Sequence, residues 1–127
     1  VPVIINNVQH INFDRILKKL QEYRLENRLY WIGEGIIRAL DQRLTTFVPR
    51  EQSLKYRKAK TILDSFFDIK LRVYEGRDFH EDLLDSDIAS QKTLDQIKES
   101  RDELAKKWCI VTRITEDDFY KSLLAAE

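Results

Sequence analysis

From Asn12 onward the apolar positions of this chain recur every third or fourth residue, which is the period of one face of an α-helix. Asn12 reads as an N-cap, and Phe13, Ile16, Leu17, Leu20 and Tyr23 line one face of a first helix behind it. A second row, Leu25, Leu29, Ile32, Ile36, Leu40 and Leu44, keeps the period on a shifted face and brackets Gly33-Glu34-Gly35. Paired glycines weaken a helix by roughly 1 kcal/mol each, so either one long helix bends there or two helices meet. Thr45 to Val48 closes the element, because the residue before Pro49 is pushed out of the α region, and Pro49 suits the first turn of a helix beginning at about 49. Within that helix Ala59, Ile62, Phe66, Ile69 and Val73 form a seam, widened by Leu63, Phe67 and Tyr74, and Gly76 stands where a left-handed cap would end it.

Beyond it, residues 77–87 are acidic and are expected to hold a short helical turn around Phe79 to Leu84. Leu94, Ile97, Leu104, Trp108 and Val111 restore the alternation if Arg101 fills the missing position, which predicts a helix over about 88–108. Thr115-Glu116-Asp117-Asp118 has the form of a capping box, with Asp in the place of Glu, opening a last helix through Ala126. Two segments escape the pattern. Residues 1–11 carry Pro2, several β-branched residues and Asn6-Asn7, and read as an extended arm. Ile110 to Ile114 is β-branched enough to pair with Val3 to Ile5 as a minor short strand.

The expectation is an all-α bundle of four or five amphipathic helices over 12–127, one domain, behind the arm. Its core is expected to hold Leu20, Ile36, Leu40, Ile62, Phe66, Ile69, Leu94, Ile97, Leu104 and Trp108, with Tyr30, Trp31 and Phe47 as further core aromatics. Composition agrees. Apolar residues make up 43% of 127, enough for one core, while 3 Gly and 2 Pro are too few for a many-stranded sandwich or a disordered chain. The 35% of charged residues exceeds the roughly 25% of an average domain and implies long solvated helix faces. No apolar run approaches the roughly 18 residues a membrane span needs, so no membrane insertion is expected. One Cys and two His cannot build a four-cysteine or two-cysteine, two-histidine zinc site, and a lone thiol fits a reducing, intracellular setting. A leader removed before Val1 would leave no trace in the sequence.

Candidate chemistry is sparse. The densest ligand cluster, Asp78, His80, Asp82 and Asp85 with neighbouring acids, offers oxygen donors and one imidazole to a divalent cation, but it lacks the spacing of a calcium-binding loop. His10 and His80 have no nucleophile elbow beside them, and Cys109, between Trp108 and Ile110, reads as a small buried hydrophobe. Gly33-Glu34-Gly35 follows no strand and has no Lys-Ser/Thr continuation, so it is no phosphate loop. No catalytic constellation assembles, and no cofactor is implied.

Charge is distributed unevenly. With 22 basic and 22 acidic residues the net charge is 0, yet 50–72 is rich in cations while 75–87 holds six acids against Arg77. Arg50, Lys55, Arg57, Lys58 and Lys60, with Tyr56 to stack, form a candidate phosphate-tracking helix for nucleic acid. The same cations suit an acidic segment of this chain or of another copy. Arg101, inside an apolar seam, either sets helix register at an interface or snorkels from the seam's edge. The stretch Ile62 to Arg77, with Phe66, Phe67, Ile69, Leu71 and Val73, resembles the helix entering the coiled-coil arm of eukaryotic type II topoisomerases over about an eighth of the chain. It brings no catalytic tyrosine or metal motif of that family and is not taken as membership. The sequence favours a non-enzymatic helical interaction or scaffold module that binds a protein partner or itself, with nucleic-acid association through 50–60 as the alternative.

Overall fold

The structure, a computed structural model, describes residues 1–74 and 102–127. These residues form six α-helices: α1 (Pro2–Asn7), α2 (Phe13–Glu22), α3 (Glu26–Leu44), α4 (Arg50–Tyr74), α5 (Glu103–Lys107) and α6 (Glu116–Ala125), with a 3-10 turn at Val8–His10. The architecture is an all-α bundle, and no strand occurs among the described residues. No helix among them is long and apolar enough to cross a membrane.

The arm is the first correction. Pro2–Asn7 is helical rather than extended, with Pro2 in the first turn, where its missing N–H costs nothing. Burial outweighs the modest helix penalty of β-branched residues, since Ile5 and Val8 both lie in the core. Residues 110–114 are irregular, so the strand pair with Val3 to Ile5 does not form.

Several boundaries follow local chemistry. The Asn12 side chain accepts the Arg15 N–H at 3.1 Å and starts α2. α2 ends in a Schellman motif: Arg24 N–H reaches Gln21 O at 3.1 Å, Leu25 N–H reaches Leu20 O at 2.9 Å, and Arg24 takes φ 56°. α5 ends the same way, with Cys109 at φ 56°, its N–H on Lys106 O at 3.2 Å and Ile110 N–H on Ala105 O at 2.9 Å. The capping box is present at α6, where the Thr115 hydroxyl accepts Asp118 N–H and the Asp118 carboxylate accepts Thr115 N–H.

The expected helix over 88–108 does not run unbroken to its end. Asp102 has extended backbone angles (φ −88°, ψ 113°), and a new helix begins behind it. One Asp102 carboxylate oxygen accepts Ala105 N–H at 3.0 Å in α5, and the other accepts Glu116 N–H at 2.9 Å at the start of α6. The Asp102 carboxylate thus caps both helices. The Gly76 cap and the core positions Leu94 and Ile97 lie outside the described residues.

α3 occupies the centre, packed by α2, α4, α5 and α6. It runs through Gly33-Glu34-Gly35 as one helix. Leu29, Tyr30, Trp31, Ile36, Ala39 and Leu40 are all buried, which is why its apolar pattern extends beyond a single stripe. On α4 the buried row is Tyr56, Ala59, Leu63 and Phe67, at spacings of three, four and four. The expected seam is therefore rotated: Ile62 and Phe66 are half-buried at its border, and Ile69 is 74% exposed. Leu104 and Trp108 are fully enclosed, whereas Phe47, expected in the core, is 89% exposed in the connection before α4.

Candidate functional site

Glu34 carries the deepest charge among the described residues. The glycines beside it admit aromatic rings onto the α3 backbone: a Cβ at position 33 would stand 2.5 Å from the Phe67 ring, and one at 35 would stand 2.7 Å from the Phe119 ring. Close approach, and not bending, is what this pair of glycines provides. Between them the Glu34 carboxylate, 8% exposed, accepts Trp108 Nε1–H at 2.5 Å and Lys107 Nζ at 2.7 Å, and Arg38 one turn on at 3.1 Å. Arg38 continues to Glu116 at 3.1 Å. Burial alone would raise the Glu34 carboxyl, but the hydrogen bonds from Lys107 and Trp108, with the charges of Arg38 and Lys107, outweigh it and hold the group below the usual carboxylate range. Nearby, the Asn27 side chain donates to Trp108 O at 2.8 Å, and the Tyr30 and Trp108 rings lie 5.4 Å apart. A carboxylate held by three donors is a fixed anion that docks α5 onto α3; it is poorly placed to serve as a base.

A second cluster joins the ends of the fold. Arg43 of α3 grips the Glu127 carboxylate with two bonds of 2.8 and 2.9 Å, and the Tyr56 hydroxyl of α4 donates to the same carboxylate at 2.6 Å. The Arg43 hydrogen bond leads in holding Glu127 below its ordinary value, while burial, followed by the Glu127 contact, raises the Tyr56 phenol. A cavity of about 40 Å³ beside it, between α1, α4 and α6, has room for little more than water.

The nominated nucleic-acid residues do not share one surface. Tyr56 is 3% exposed and faces the core, so its ring is not presented for stacking. Lys60 is tied to Asp64 at 2.9 Å and to Asp41 of α3 at 3.2 Å. Arg50, Lys55, Arg57 and Lys58 are exposed and make no ion pair among the described residues; Arg57 Nε donates to Ser53 Oγ at 3.2 Å. Among them stands Leu54, 59% exposed. Ile69 fits the helical period of the expected seam and so reads as core in the sequence, whereas Leu54 has no part in that seam. The nominated metal residues Asp78, His80, Asp82 and Asp85, and the register residue Arg101, lie outside the described residues. Among the described residues no group of three or more His, Cys, Asp or Glu side chains could hold a metal ion. No protein-family model, curated protein or solved structure matches the chain.

Proposed function

We propose that this protein is a non-enzymatic helical module that acts by binding another protein through an exposed helix face. The observation that supports this reading is the outer side of α4, where Leu54 and Ile69 stand 59% and 74% exposed although the helix already buries Tyr56, Ala59, Leu63 and Phe67 on its other side. Large apolar side chains left outside a completed helix packing are the usual anchors of a protein contact, and the cations around Leu54 favour a partner of complementary charge. Wild-type protein is expected to retain a protein partner in a pull-down at low salt. Leu54→Glu and Ile69→Glu should each abolish retention while the thermal midpoint stays within a few degrees, because an exposed substitution changes stability by only about 0.5 kcal/mol. Retention unaffected by either change overturns the reading.

A second reading, nucleic-acid association, is favoured by the exposure of Arg50, Lys55, Arg57 and Lys58. It requires affinity to fall steeply as salt rises and to be lost on charge reversal of Arg57 and Lys58. Binding that is insensitive to salt removes it.

A further inference from the structure

Arg43 divides its hydrogen bonds between two sides. Nη1 donates to Thr46 Oγ1 at 2.7 Å and to Phe47 O at 2.9 Å, both in the connection behind α3, so the guanidinium plane is set without help from α6. The opposite edge, Nε and Nη2, meets the Glu127 carboxylate at 2.8 and 2.9 Å in the side-on geometry that matches two carboxylate oxygens. The Tyr56 hydroxyl is a third donor at 2.6 Å, and its ring, 3% exposed, is fixed in the core. Three donors on two long helices thus converge on one carboxylate. Their occupant is anchored differently. Glu127 lies beyond the last residue of α6, with its N–H on Leu124 O at 3.1 Å, in the kind of helix end that opens most readily. It is the one acid in an ion pair with Arg43 among the described residues, so its departure leaves a guanidinium edge and a buried phenol without their acceptor.

From this asymmetry we infer that Arg43 and Tyr56 form a carboxylate-binding site, and that Glu127 is a tethered occupant which an incoming carboxylate displaces. The inference is independent of the outer face of α4 and does not rest on the interaction reading above. The ligand class follows from the donors. Two parallel N–H groups and a phenol hydroxyl in one place are satisfied together by a planar group with two anionic oxygens, which a spherical halide does not offer. Either a small free acid or the acidic side chain of a peptide supplies that group. Solvent reaches the pair, since the Arg43 and Glu127 side chains are 12% and 21% exposed. The cavity of about 40 Å³ beside Tyr56 adds room for little beyond a water, so the remainder of the ligand extends outward, as the Glu127 chain does. A tethered group acts at an effective concentration of roughly millimolar, which hides the site from dilute carboxylates and yields to concentrated ones.

Titration of the full chain with sodium acetate, against sodium chloride at equal ionic strength, tests the site. In Glu127→Ala the occupant is gone, and about 100 mM acetate should raise the thermal midpoint at least about 3 °C above the chloride control. The Arg43 Nε–H resonance should move over the same range of acetate. Wild-type protein should need at least about tenfold more acetate for the same change, because Glu127 competes. Combined with Glu127→Ala, Arg43→Lys removes the parallel N–H pair and Tyr56→Phe removes only the hydroxyl. Each should weaken acetate binding at least about tenfold. N-acetylglutamate α-amide in the same titration separates the two sources: tighter binding than acetate assigns the site to an acidic residue of a peptide, and weaker binding assigns it to a small free acid. Should Glu127→Ala not fold, Glu127→Gln keeps the packing and carries the same titration, with acetate displacing a neutral amide. An acetate response no larger than that to chloride, one equal to the wild-type response, or one left unchanged by Arg43→Lys and Tyr56→Phe overturns the inference.

Discussion

Glu34 shows how much one side chain can determine. Its carboxyl lies below its unfolded-state value, so its contribution is fully present above about pH 4.3 and is lost as pH falls through the lower folded value. Glu34→Gln leaves Lys107 and Arg38 facing a neutral amide. The cost is expected at about 2 kcal/mol, below the usual figure for breaking a buried pair because both cations also reach solvent. In urea unfolding the gap between wild type and Glu34→Gln should be full at pH 6 and narrow as pH drops below about 4; a gap that widens in acid contradicts the assignment. The flanking glycines make an equally sharp test. Ala at an ordinary helical position gains up to about 1 kcal/mol over Gly, but Gly33→Ala and Gly35→Ala drive a methyl into the Phe67 and Phe119 rings and should each destabilise by about 1–3 kcal/mol.

The same sequence patterns were informative to different degrees at the level of elements. Asn12, Pro49 and the Thr115/Asp118 box announced their helices because a cap is decided within four residues and needs no knowledge of the fold. Position on the helix circumference was harder to read. Ile69 and Leu63 both satisfy the period of α4, and only α3 lying against the Leu63 side determines which is enclosed. Glu34 was read only as the middle of a possible hinge, since its partners Lys107 and Trp108 are 73 and 74 positions away and no local spacing points to them. The helical arm was missed for a related reason: local propensity disfavours it, and burial of Ile5 and Val8 decides it. Asp102 offers a test at this scale. Because it caps α5 and orients the start of α6, Asp102→Ala should cost about 2 kcal/mol, near twice a single cap, and hydrogen exchange should quicken in the first turns of both helices together. Quickening confined to α5 would show that the two starts are independent.

For the whole molecule, the placement of α3 among α2, α4, α5 and α6 predicts one cooperative transition. Tryptophan fluorescence, which reports Trp31 and the enclosed Trp108, should lose native signal at the same urea concentration as helical circular dichroism. Separated midpoints would show that the last two helices detach before the rest melts. The long reach of the central contacts also bears on synthesis. A ribosome releases Glu34, Arg43 and Tyr56 well before Lys107, Trp108 and Glu127, the residues that complete their hydrogen bonds. The emerging chain can wind its early helices, but their native arrangement must wait until residues 103–127 have cleared the exit tunnel. The time between release of Tyr56 and release of Trp108 should therefore govern how long incompletely packed copies are exposed to one another.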